Sequence, residues 1–153
     1  MKPIKNIFPA FVIVAWLYAI FMLSQPVEII AVHQDDLLVR NFPLTDKGKI
    51  SWWKKNSAML KAKYALDAGN STINIWDFGE GYQTETPDKT TFFPSHDTDY
   101  LLCFDDMNVP ERCIRKENFL MYLHQAADGL TWYTVEGGVY YQKENGPLVK
   151  HED

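Results

Sequence analysis

The chain has 153 residues, 46% of them hydrophobic, and a net charge of −5. Lys2 and Lys5 are the only charges before Glu28, so everything after them carries −7. A chain this short makes one compact unit with a modest core, and the negative sign excludes a nucleic-acid binder, which must offer a basic surface to phosphates.

The first element is the uncharged apolar run from Ile7 to Leu23. As a helix it is ~25 Å long, against a hydrocarbon core of ~30 Å, with Asn6, Ser24 and Gln25 to make up the difference at the interface. Both N-terminal charges are lysines, and no Lys or Arg follows the run until Arg40. The positive-inside rule then keeps the N-terminus in the cytoplasm. The rival is a cleaved signal peptide, but Phe21, Met22 and Leu23 are bulky where the peptidase needs small residues. The expectation is residues 1–25 as a cytoplasmic tip and transmembrane anchor, and residues 26–153 as an exported domain.

Pro26 ends the anchor. Residues 27–33 and 37–40 read as a hairpin around the turn signal Gln34-Asp35-Asp36. Thr45 or Asp46 then caps a helix that runs to about Tyr64. Ile50, Trp53, Ser57, Leu60 and Tyr64 recur at three- and four-residue steps and define its core face. Trp52 and Met59 point to nearly the opposite face, with Lys49, Lys55 and Lys63 near them. Residues 72–78 alternate as a strand should. Residues 82–98 are polar and contain Pro, which reads as a long mobile loop. Residues 99–105 read as a strand carrying Cys103. Three turn pairs, Asp128-Gly129, Gly137-Gly138 and Asn145-Gly146, separate the last strands and predict an antiparallel meander.

Cys103 and Cys113 are the only cysteines. In an oxidising compartment an even count reads as a disulfide, and their spacing fits neither a C-x-x-C redox pair nor a tight metal knuckle. Charge is segregated along the chain. The helix carries Lys47, Lys49, Lys54, Lys55, Lys61 and Lys63 against Asp46, while residues 77–111 hold nine acids against Lys89. Either the two regions attract each other within the fold, or one of them faces a charged partner.

Enzyme signatures are scarce: there is no G-x-S-x-G, no H-E-x-x-H and no Gly-rich phosphate loop. The histidines stand singly. Adjacent Asp105 and Asp106, with Asp97 or Asp99 nearby, offer a site for a hard cation or a shared proton. Neighbours in a strand point to opposite faces, however, so the pair converges only if the strand ends there.

The segments Pro26-Val-Glu-Ile-Ile-Ala-Val-His33, Asn41-Phe-Pro-Leu-Thr-Asp-Lys-Gly-Lys-Ile-Ser-Trp-Trp53, Trp76-Asp-Phe-Gly-Glu-Gly-Tyr82 and Cys103-Phe-Asp-Asp-Met107 resemble the enterobacterial putative membrane protein family, domain of unknown function 943. The resemblance implies a small single-pass protein of an uncharacterised family. It brings no activity, cofactor or catalytic residue to carry over.

The sequence thus reads as an α+β protein: an N-terminal transmembrane helix followed by a small antiparallel-sheet domain with one main helix, anchored in the bacterial inner membrane with its C-terminal domain periplasmic. Without catalytic motifs or cofactors, protein binding is the expected role. An immunity-type role against a basic toxin is the first form. An envelope assembly or stress factor acting through a membrane partner is the second, and a metal-binding or hydrolytic enzyme built on the Asp cluster the third. The candidate partner surface is Glu80, Glu85, Asp97, Asp99, Asp105 and Asp106, with Trp52 as the alternative.

Overall fold

The computed structural model describes residues 7–69, 72–85 and 100–152. Helix α1 (Ile7–Leu23) leads into the hairpin β1 (Glu28–His33) and β2 (Asp36–Arg40), then the long helix α2 (Asp46–Tyr64) and strand β3 (Ile73–Asp77). Short strands β4 (Gln83–Thr84), β5 (Leu101–Cys103) and β6 (Glu111–Arg115) follow, and the chain ends in β7 (Phe119–Gln125), β8 (Leu130–Val135), β9 (Gly138–Lys143) and β10 (Leu148–Lys150).

Two expectations are corrected here. Residues 7–23 do form a helix, but it is 17 residues long, and among the described residues no helix is long and apolar enough to cross a membrane. At 1.5 Å per residue its ~25 Å falls short of a ~30 Å hydrocarbon core, so apolar character outran length. The domain, in turn, is mostly β-sheet, and its main sheet is mixed rather than antiparallel. Seven strands lie in the order β1-β2-β3-β7-β8-β9-β10, beside a separate sheet ordered β4-β6-β5. Strand β3 pairs parallel to β2, with Leu37 opposite Ile75. The cause is α2: a helix of 19 residues carries the chain back along the sheet, so the next strand must run in the original direction. The other neighbouring pairs of the main sheet are antiparallel.

The sequence sets both ends of α2. The Thr45 side chain accepts a hydrogen bond from the Gly48 N–H at 3.1 Å, and Ala65 closes the helix in the left-handed conformation at φ 55°. Ile50, Trp53 and Leu60 are buried against Leu37, Val39, Ile73, Ile75, Met121, Leu123, Tyr133 and Val135, which share one face of the sheet. Burying each such side chain contributes about 1.5–3 kcal/mol. Trp52 is half-buried, edge-on to Phe42 with centroids 5.0 Å apart, and Met59 is exposed. Lys49 departs from the expectation that it lies near them on the outer side: it is only 5% exposed. The β8–β9 turn closes onto the start of the helix. A Cβ on Gly137 would run into the Asp46 carboxylate, which is also hydrogen-bonded by the Tyr140 hydroxyl at 3.3 Å.

Leu38 points to the other face, where Phe104 and Ile114 of the small-sheet region cover it. Helix on one side and second sheet on the other leave Leu37, Leu38 and Val39 with no exposed surface. Strand β2 is therefore the centre of a three-layer stack, which explains why it reads as an unbroken apolar run rather than an alternating one.

Candidate functional site

The small sheet collects the chemistry that the sequence scattered. Strands β5 and β6 are antiparallel, with Cys103 opposite Cys113, and these two are disulfide-bonded with Cα atoms 4.0 Å apart. The Phe104 N–H donates to the Arg112 carbonyl at 3.0 Å. That makes the cysteine register the non-hydrogen-bonded one, where opposed side chains stand closest.

Strand β5 ends at Cys103, and residues 104–107 form a turn closed by the Met107 N–H on the Phe104 carbonyl. Asp105 and Asp106 sit at its centre and diverge. Arg112 donates to Asp105 Oδ1 at 3.0 Å and to Glu85 Oε2 at 3.4 Å, bridging β4, β6 and the turn. Asp106 instead turns inward to His33 Nδ1, at 2.8 and 3.0 Å from its two oxygens. The pair therefore forms no common cation site. Among the described residues the one grouping of three potential metal ligands is Glu85 with Cys103 and Cys113, whose sulfurs are already joined to each other. Glu80 is exposed in the turn after β3, where Gly79 and Gly81 both take positive φ. Asp97 and Asp99 lie outside the described residues, as do residues 86–98 of the loop expected over 82–98; its start is corrected, since Gln83–Thr84 pair with β6 as strand β4.

Sequence reasoning missed His33, Tyr82 and Arg112. His33 is 8% exposed. Its ring stacks on Phe104 with centroids 4.1 Å apart and an interplanar angle of 17°. Its Nε2 lies 2.6 Å from the Tyr82 hydroxyl. Burial, with a smaller push from the Asp106 charge, raises the Tyr82 pKa, so the phenol keeps its proton. In the tautomer with the proton on Nδ1, the ring donates to Asp106 and accepts from Tyr82. The result is a hydrogen-bonded chain of phenol, imidazole and carboxylate tying the β1–β2 hairpin tip to the small sheet. The hairpin tip lies one full strand away from the point where α1 joins the domain, about 20 Å for six residues. Replacing His33 by Phe keeps the stacking surface but strands the Tyr82 hydroxyl. The expected cost is about 1–3 kcal/mol in denaturant unfolding, and Tyr82→Phe in the same background should recover part of it. Equal stability of the parent and His33→Phe would show that the chain holds nothing together.

The far side of the main sheet has its own concavity. A cleft of about 530 Å³ opens between α2 and the ends of β7, β8 and the β9–β10 turn. Trp53, Ala68, Leu123 and Tyr133 floor it, all of them buried. Lys54, Ser57 and Lys61 form the helix wall, and Gln125, Thr131, Glu144 and Asn145 stand opposite.

Fold and site together define a small, mostly β-sheet, disulfide-linked domain that follows an apolar N-terminal helix. The chain belongs to the enterobacterial putative membrane protein family, domain of unknown function 943, whose model matches residues 2–152. No curated protein and no solved structure matches it.

Proposed function

We propose that this domain is a non-catalytic, protein-binding module of the periplasm, tethered at the bacterial inner membrane through the apolar helix Ile7–Leu23, and that it meets a basic partner through the acidic small sheet. An immunity-type role, in which the partner is a basic toxin, is the form we favour. One observation carries the reading. The basic helix and the acidic sheet lie on opposite faces of the main sheet, so neither neutralises the other. The ion pairs among the described residues are His33–Asp106, Arg112–Glu85, Arg112–Asp105 and Arg115–Glu117, and none involves α2. The acidic face is built on a sheet fixed by a disulfide and an apolar cluster, and a rigid charged platform loses little entropy on binding. The disulfide also suits an oxidising compartment.

The test is covalent capture from the envelope of producing cells, comparing the parent chain with Glu80→Lys, Glu85→Lys and Asp105→Lys together. The parent should retain a basic protein whose association weakens with added salt. The reversed chain, still folded, should lose it. Capture unaffected by the reversals removes the acidic sheet as the binding face and leaves Trp52 and its surroundings as the alternative.

A second reading, an envelope assembly or stress factor with a membrane partner, draws on α1. All described side chains of that helix are exposed, and Trp16 and Tyr18 fall mid-helix rather than at an interface, where a partner helix would meet them. Capture that survives the acidic reversals but fails after Trp16→Leu and Tyr18→Leu would favour it.

A further inference from the structure

We propose that the cleft between α2 and the β7–β8 sheet end is a second binding site, and that it takes a small acidic saccharide. Three features point there. Lys54 and Lys61 are seven residues apart on one stripe of α2, which sets their Cα atoms about 10 Å apart along the cleft wall. Neither makes an ion pair among the described residues. Two such ammonium groups on one wall, against Glu144 across the cleft, favour an anion.

The second feature is Tyr133. It is only 4% exposed, it lines the cleft, and its hydroxyl makes no hydrogen bond to any described residue. Nor is that hydroxyl sealed off, since no fully buried side-chain polar atom lacks a partner. A buried phenol whose free end opens into a cleft is a donor waiting for an acceptor. Burial raises its pKa, so it stays protonated.

The third feature is the rest of the lining. Gln125 and Asn145 offer amides that both donate and accept, as sugar hydroxyls require. A bare inorganic anion would use only the lysines. The size of the cleft, about 530 Å³, is that of a ligand site rather than of a surface dimple. This site faces away from the acidic sheet and does not depend on the role proposed for it.

The experiment is a titration of the full-length chain in detergent micelles, followed by amide and side-chain NMR shifts. The probes are glucuronate, glucose 6-phosphate, glucose and inorganic phosphate. The expected result is a saturable shift centred on Lys54, Lys61 and Tyr133 with at least one of the two acidic sugars. The stronger of the two tells whether a carboxylate or a phosphate is preferred. Glucose should bind at least about tenfold more weakly, since it lacks the charge-assisted contacts. Lys54→Glu with Lys61→Glu should abolish the shifts, and Tyr133→Phe should weaken binding several-fold while leaving the fold unchanged. Inorganic phosphate acting as strongly as glucose 6-phosphate would reduce the site to an anion patch and overturn the proposal. So would the absence of any saturable shift, or unchanged binding by the lysine double variant.

Discussion

Trp53→Ala should be the most damaging single substitution in the domain, at about 3–5 kcal/mol. The side chain is 3% exposed and lies where α2 meets the sheet, in one cluster with Leu37, Val39, Ile75 and Met121. Removing it takes away the transfer free energy of a large ring and leaves a cavity that a helix anchored at both ends cannot fill. The helix is also the crossover that makes β3 parallel to β2, so loosening it loosens the centre of the main sheet. In urea the midpoint should fall with little change in slope, the signature of lost stability rather than of an altered denatured state. Trp52→Ala is the control. That ring is half-buried on Phe42, and its loss should cost about 1–2 kcal/mol. Equal losses at the two positions would contradict the helix face assigned here.

The contrast between Trp52 and Trp53 was legible in the sequence, because a helix face follows from three- and four-residue steps alone. The same holds for the hairpin β1–β2 and the strands β7 to β10, where turn pairs mark the borders. Two kinds of information were not local. Parallel pairing of β2 with β3 depends on where α2 puts the chain, and an alternating strand pattern looks the same in either direction. Of the small sheet, β5 was legible within the strand read over residues 99–105; β4 escaped because two residues show no period, and β6 because its two buried residues are adjacent rather than alternating. Arg112 and Arg115 also flank the two buried positions of β6, so it reads as a polar loop.

Among the candidate site residues, Glu85 and Asp105 do meet, at Arg112. Asp106 does not join them, because its partner is His33, 73 residues earlier in the chain. No spacing rule links those two. A solitary histidine gives no sign of a carboxylate and a phenol converging on it until the second sheet is placed over the first. The charge pattern was equally visible in the sequence, but its meaning was not. Whether a basic helix and an acidic segment cancel depends on which face of the sheet each covers, and the helix and the described small-sheet acids cover opposite ones.

Removal of the disulfide is the second large effect. Cys103→Ala with Cys113→Ala should cost about 2.5–3 kcal/mol, the chain-entropy value for a closure of ten residues. The double Ser variant should lose about 1 kcal/mol more, because Cys113 has no exposed surface and a hydroxyl there would be buried among apolar neighbours. The damage should be local. The disulfide joins β5 to β6, while the main sheet is held by α2 and by its own ladders, so hydrogen exchange should accelerate in residues 101–115 far more than in β7, β8 and β9. Arg112 lies next to Cys113 and holds Glu85 and Asp105. Losing the staple should therefore also loosen the acidic face and reduce partner capture before the domain unfolds. If the Ala pair matched the parent both in unfolding and in exchange of residues 101–115, neither the small sheet nor the partner face would owe its order to the disulfide.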